Sequence, residues 1–339
     1  MPAPLRIGLI GCGRAAATLH LPALERVDAV EAVAVADVDE RRARELAAAH
    51  RIPRVHRDAA ALARDEDVDL VAVCTPPHEH AAAAHAALEA GRHVLVEKPL
   101  CLDPDEAEAL VEAAAARPGR LCAVGFNLRL HRQVVAARAA IAEGRLGRVR
   151  MVRTHWTADT PPHGRRASGA ALWEMGVHHL DLWRHLTGEE PREIAATGHE
   201  HALVMSATTD GGTVLATTVA DGTSGANELE LVGENGRLTL TLYRGDGPHW
   251  APAGGAVGGV AVRLRDALRG TWSLPRQALA ARAGGDYLLS FAAQWQALAR
   301  ALRDGGAPPA DFEDGRRVVA LAHAAEASLR AGREVEVRA

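Results

Sequence analysis

Three stretches of this 339-residue chain carry side chains whose types and spacing suit chemistry. The first is Gly11-Cys-Gly13-Arg14-Ala-Ala16, set between a short apolar run and a helical stretch. One glycine permits a tight turn, the next lets a pyrophosphate approach the backbone, and a small third residue lets helix and strand pack closely. Asp37 closes the following apolar run, where a carboxylate accepts hydrogen bonds from a ribose and repels a 2′-phosphate. NAD is therefore expected over NADP, with Arg41 and Arg42 as the feature that would favour a 2′-phosphate instead. The second stretch holds Lys98, the single lysine among 39 basic residues. Arginine stays charged at neutral pH, whereas a desolvated lysine can lose its proton, so Lys98 is a candidate for work that a guanidinium cannot do. Compositional bias that happened to miss one position is the plain alternative. The third stretch is Trp173-Glu174-Met-Gly-Val-His178-His179-Leu-Asp181. Glu174, His178 and Asp181 are four and three apart, a spacing that shares a helical face, and a carboxylate beside an imidazole suits it to act as a general base. His179 falls on another face and is expected to be an ordinary helix residue. His78, His80 and His85 also lie on different faces and no nearby cysteine completes a ligand set, so no metal site is expected.

The elements that must position these groups follow from hydrophobic pattern. Apolar runs at Leu5–Gly11, Ala29–Ala36, Val68–Cys74, His93–Val96 and Leu121–Phe126 alternate with helical segments at 14–27, 39–50, 77–90 and 104–116. That alternation predicts βαβ units on a parallel sheet. Beyond Phe126 the rhythm changes. A helix over 134–143, a strand over 149–157 and a helix over 171–187 precede a series of alternating strands with glycine turns at 208–213 and 233–236, which predicts antiparallel pairing. The Gly/Pro-rich stretch from Gly245 to Gly259 is expected to be a loop, followed by helices near 287–303 and 313–330 and a last strand over 334–338. The fold class is thus α/β, a doubly wound domain over 1–125 joined to an α+β domain over 126–339 with a large, mostly antiparallel sheet. Trp156, Trp173 and Trp183 are expected to pack in cores or interfaces, and Arg165 or Arg166 either to reach substrate or cofactor or to lie in a solvated loop.

Bulk properties narrow the classes of function. A formal charge of -4 offers no basic field for nucleic acid. The cysteines Cys12, Cys74, Cys101 and Cys122 show neither CxxC spacing nor a secretory framework, and no apolar run suits a membrane helix, so a cytoplasmic protein with no membrane partner is expected. An antiparallel sheet with only two late helices is expected to leave an apolar face open, which predicts a homodimer or homotetramer built through the second domain.

Further motifs make a more specific likeness. Cys74-Thr75-Pro76-Pro-His-Glu-His80, Glu97-Lys98-Pro99, Gly125-Phe-Asn127-Leu-Arg129, Gly144-Arg-Leu-Gly-Arg148, Gly176-Val-His178-His-Leu-Asp181 and Phe312-Glu-Asp-Gly-Arg316, together with the glycine run, resemble the glucose-fructose oxidoreductase/inositol dehydrogenase/rhizopine-catabolism (Gfo/Idh/MocA) family along nearly the whole chain. The resemblance implies that Glu97 and Lys98 end a strand at the carboxyl edge of the sheet, that Thr75 and Pro76 line the nicotinamide, and that His80 touches the cofactor. It also implies that Asn127, Arg129 and Asp181 line a sugar pocket, and that His178 takes a hydroxyl proton while Lys98 stabilises the alkoxide. Relatives commonly carry aspartate where this chain has Glu174, so Glu174 is expected to ligate substrate, orient His178 or accept the proton. The implied activity is hydride transfer between NAD(H) and a hydroxyl or carbonyl carbon of a sugar or cyclitol. An NAD(H)-binding regulator, or a lyase or glycosidase working by transient oxidation, are the alternatives.

Overall fold

The structure is a computed structural model that describes residues 3–158, 171–243, 247–254, 264, 268, 274–275, 277–282 and 284–337. It divides into two compact units, Met1–Leu130 with Ser290–Val319, and His131–Leu289 with Ala320–Ala339. In the first, strands β1 (Leu5–Ile10), β2 (Val30–Ala36), β3 (Arg54–His56), β4 (Leu70–Val73), β5 (His93–Val96) and β6 (Cys122–Val124) form one sheet in the order β3-β2-β1-β4-β5-β6. Every pairing is parallel. The residues of β4 are fully buried, and Val94, Leu95 and Val96 nearly so, as strands covered on both faces must be. A π turn over Ala16–His20 leads into α1 (Leu21–Leu24), and α2 (Glu40–His50), α3 (Ala59–Ala63), α4 (His80–Glu89) and α5 (Pro104–Ala115) provide the crossovers. Asp39, Asp58 and Asp103 fix where α2, α3 and α5 begin, each carboxylate accepting a first-turn backbone N–H.

The first unit differs from the sequence expectation in its extent. It runs to Leu130 and takes in the later segment Ser290–Val319. That segment carries most of α8 (Gly285–Asp304) and the start of α9 (Phe312–Ala331). The cause is an apolar stripe: Phe291, Trp295 and Leu298 on α8 are all buried, and Phe291 and Trp295 meet the His20 ring edge-on. The edge of β6 is also capped from this segment, with Val124 N–H donating to Ala310 O at 3.1 Å.

The second unit holds α6 (Arg132–Ala142), strand β7 (Val149–Ala158), a π turn over Leu172–Gly176, α7 (Val177–Thr187), and strands β8 (Pro191–His199), β9 (Ala202–Thr209), β10 (Val214–Asp221), β11 (Ala226–Gly233), β12 (Gly236–Thr241), β13 (His249–Pro252) and β14 (Val335–Glu336). The sheet order is β13-β12-β11-β7-β10-β9-β8-β14, with β7 and β10 parallel and the other pairs antiparallel. One face is apolar, with Val152, Trp156, Leu215, Val219, Leu203, Met205, Leu229 and Leu231 buried against the side where α7 packs. The opposite face is not the apolar surface expected. Its positions include Arg153, His155, Thr157, Ala216, Thr218, Ser206 and Glu230, and Arg153 pairs with Glu230 at 2.8 Å. Strand β13 lies inside the stretch expected to be a loop, because its backbone pairs with β12 although glycine and proline break the side-chain alternation. Residues 245–246 and 255–259 of that stretch, and Arg165 and Arg166, lie outside the described residues. No helix among the described residues is long and apolar enough to cross a membrane.

Candidate active site

The glycine turn joins the end of β1 to the helix beginning at Arg14. Gly11 has φ +94°, and a Cβ there would come 2.7 Å from the backbone of Cys74 and Thr75, so both conformation and space demand glycine. A Cβ on Gly13 would meet nothing within 4 Å, which leaves open ground beside the backbone where a pyrophosphate would sit. Ala16 is fully buried against the sheet, and Arg14 is exposed. Asp37 follows β2 with one carboxylate oxygen accepting from Cys12 N–H at 2.7 Å and the other from Asp39 N–H at 2.8 Å. The carboxylate is thus locked to the turn and keeps lone pairs for ribose hydroxyls. Arg42 stands 3.7 Å from Asp37, facing the carboxylate instead of presenting an unopposed charge to a 2′-phosphate. Cys12 beneath the turn has its thiol pushed up to about 12 by burial and by Asp37, and all four cysteines are buried free thiols.

Neighbouring strand ends complete this edge. Beyond β4 the Thr75 hydroxyl is buried without a hydrogen-bond partner among the described residues, an acceptor and donor that a carboxamide or ribose could satisfy. The open ground at Gly13, the locked Asp37 and the waiting Thr75 together fit a dinucleotide. Beyond β5, Glu97 is buried and Lys98 half-buried. Glu97 Oε2 accepts the Lys98 backbone N–H at 3.1 Å, while Oε1 meets His20 Nε2 at 2.8 Å. Burial works against both charges, but Cys74 and Glu97 raise the His20 imidazole above its ordinary value, and His20 and Lys98 hold Glu97 below its own. His20 was not among the residues singled out from sequence. Its signal was there, since a histidine on the buried stripe with Ala16, Ala23 and Leu24 needs a polar partner.

His80, expected to touch the cofactor, bridges two backbone carbonyls. It is 1% exposed, with Nδ1 2.7 Å from Pro99 O and Nε2 2.9 Å from Thr75 O. Two facing carbonyls favour the doubly protonated ring, yet burial dominates and lowers its pKa, so one nitrogen donates at a time. Asn127 and Arg129, expected among the substrate ligands, find partners within the first unit, and the Asn127 Oδ1 is buried without a hydrogen-bond partner among the described residues. Asn127 is fully buried and donates to Ser290 Oγ at 2.7 Å. Arg129 is 7% exposed, with Nη1 donating to Pro309 O at 2.8 Å and Asp314 Oδ2 at 2.9 Å. Both side chains bind the turn after β6 to the returning segment. Pro76 opens the 3-10 turn before α4, His78 is exposed, and no group of three metal-ligating side chains gathers among the described residues.

In the second unit, Glu174 lies in the π turn and His178 and Asp181 on the first turns of α7. The Val177 N–H reaches back to Leu172 O, so this turn is one residue wider than the regular helix the spacing implied, a distortion common at functional sites. His178 and Asp181 are 1% exposed and Glu174 half-buried. His179 is fully buried, and burial lowers its pKa to about 3, which makes it a neutral core group. Trp173 flanks the turn, donating to Glu326 Oε1 at 2.8 Å.

Comparison with known proteins agrees with this geometry. Residues 5–126 match the model of an oxidoreductase family with an NAD-binding Rossmann fold, and residues 134–239 match the GFO/IDH/MocA C-terminal domain. Myo-inositol 2-dehydrogenase of Thermotoga maritima is 31% identical over 196 residues, which span 57% of this chain but only 58% of that protein. D-apiose dehydrogenase of Paraburkholderia graminis is 29% identical over 346 residues, covering 97% of this chain and 89% of its own. The solved levoglucosan dehydrogenase, a complex with NADH and levoglucosan, shares the fold with a TM-score of 0.84 at 23% identity over 99% of this chain and 100% of its own.

Proposed function

The chain belongs to the GFO/IDH/MocA oxidoreductase family, with residues 5–126 as its NAD-binding Rossmann domain, and from that premise we propose that it transfers a hydride between NAD(H) and a hydroxyl or carbonyl carbon of a sugar or cyclitol. The observation that carries the reading lies along one sheet edge. Gly11, Asp37, Thr75, Glu97 with Lys98, and Gly125 follow the carboxyl ends of β1, β2, β4, β5 and β6, on both sides of the point where the strand order reverses. Open α/β sheets bind ligands at that edge. The inositol, apiose and levoglucosan dehydrogenases it resembles support the substrate class.

Bound NAD(H) supplies the hydride acceptor or donor. Gly11 and Gly13 leave its phosphates against the backbone, and Asp37 takes the ribose hydroxyls. Lys98 stabilises the oxygen as negative charge develops on it, a contribution of several kcal/mol in a dry site. His178 takes the hydroxyl proton in oxidation and returns it in reduction, with Glu174 and Asp181 on the same helical segment to orient it or hold substrate. A panel of inositols, apiose, levoglucosan and other polyols, followed by NADH absorbance, tests the proposal. Turnover of at least one with NAD is expected. Tight NADH binding with no turnover of any would favour a regulator, and substrate consumption without net NADH would favour transient oxidation.

A further inference from the structure

We propose that His20 is a positioning residue for Lys98, acting through Glu97 to fix the peptide from which the lysine side chain departs. The inference rests on the role proposed for Lys98. His20 ends the π turn of the helix that follows the glycine loop and is fully buried. Its Nε2 holds Glu97 Oε1 at 2.8 Å, leaving Oε2 to take the Lys98 backbone N–H at 3.1 Å. The carboxylate is confined on its remaining side, because a Cβ on Gly125 would come 2.9 Å from Oε1. The imidazole is confined in turn, edge-on to Phe291 at 5.2 Å and Trp295 at 5.6 Å between ring centroids.

Each contact in this chain has one purpose. A buried carboxylate with an unsatisfied oxygen would rotate to find a donor, and that rotation would pull Oε2 from the Lys98 amide. With His20 in place the carboxylate has donors on both oxygens and no reason to turn. The Lys98 peptide plane then fixes the direction in which the Cα–Cβ bond leaves the backbone, the starting point for placing a group that stabilises developing charge. The shifts described above, His20 raised and Glu97 lowered, agree with an ion pair held for this purpose. The same helix begins at the glycine turn, so the lysine and the phosphate-binding backbone are referred to one element.

The test compares the full chain with H20A, H20Q and K98R. Its readouts are NADH titration by fluorescence, amide exchange across Glu97–Pro99 by mass spectrometry, melting temperature, and kinetics on the best polyol of the panel. In H20A, exchange at the Lys98 amide should rise about tenfold or more and kcat fall about tenfold or more, with KM and NADH affinity changed far less. H20Q carries an amide nitrogen that can reach Glu97 in place of Nε2, and should recover most of both losses. Unchanged Lys98 exchange in H20A, or H20Q no better than H20A at equal melting temperature, would overturn the proposal. If H20A does not fold, H20N, whose amide is a methylene too short, takes its place under the same expectations. The exchange result stands whether or not any polyol turns over. Parental turnover in K98R would instead remove the catalytic role of Lys98 and leave the positioning of its amide intact.

Discussion

At the scale of the residue, two side chains carry most of the functional reading. If Lys98 works through a compact ammonium or its proton, arginine should fail in its place, because the guanidinium is larger and stays charged. Turnover of K98R is expected to fall about a hundredfold or more with NADH affinity little changed, and near-parental turnover would end the assignment. Asp37 is the residue proposed to select the cofactor. Both its oxygens accept from backbone N–H groups, so D37S, with a single oxygen, gives up at least one of those bonds together with the ribose-binding carboxylate. NADH affinity should fall about tenfold and the margin over NADPH should narrow, which paired fluorescence titrations would show. Both residues were legible in sequence, one by its motif and one by its rarity. His20 was not, since its partner lies 77 positions away and only the sheet brings them together.

Among elements, regular periodicity was legible and local function of polar groups was not. Strands β1, β2, β4, β5 and β6 and helices α2, α4 and α5 of the first unit fall where the apolar runs and helical segments put them. The three-residue β3 and five-residue α3 carry too few apolar positions to announce a period, and β13 is hidden by its glycine and proline neighbours. The two π turns are equally silent, because one extra residue in a helix leaves composition unchanged. Arg129 shows what a motif leaves out. The motif places it near a pocket, and the structure adds that its Nη1 donates to Pro309 O and Asp314 Oδ2, within 2.9 Å of each. Removing it would strand Asp314 and the carbonyl, so R129A should destabilise the chain by about 2–4 kcal/mol. Its NADH affinity and KM should remain near parental at a temperature where the variant is folded. A rise in KM without loss of stability would restore the substrate role.

Across the whole molecule, the change from parallel to mostly antiparallel pairing was legible, whereas the return of Ser290–Val319 to the first unit was not, since it depends on which buried surface the α8 stripe meets. The outer face of the second sheet is mixed in polarity and carries the Arg153–Glu230 pair beside small side chains such as Ala216, Thr218 and Ser206. A homodimer or homotetramer through this unit is expected by light scattering, and a monomer at micromolar concentration would refute it. Stability should depend on pH through two buried histidines of the same unit. Burial lowers His179 from 6.5 to about 3 and His131 from 6.5 to about 4. His155 near His179 adds to the first shift, while Asp286 opposes and Arg132 supports the second. Because both folded values lie below the unfolded one, the unfolded chain binds the extra protons between about pH 4 and 6.5, and stability is lost as pH falls through that window. Each group contributes a slope of up to about 1.4 kcal/mol per pH unit there and nothing above it. Glu313, held at about 2 by Arg316 and Arg317, acts only at lower pH and leaves the window distinct. Urea midpoints of the parent should therefore fall from pH 7 to 5, and H179L, which cannot titrate, should show a shallower fall. Equal slopes for H179L and the parent would mean that His179 is protonated, or reached by water, in the folded chain.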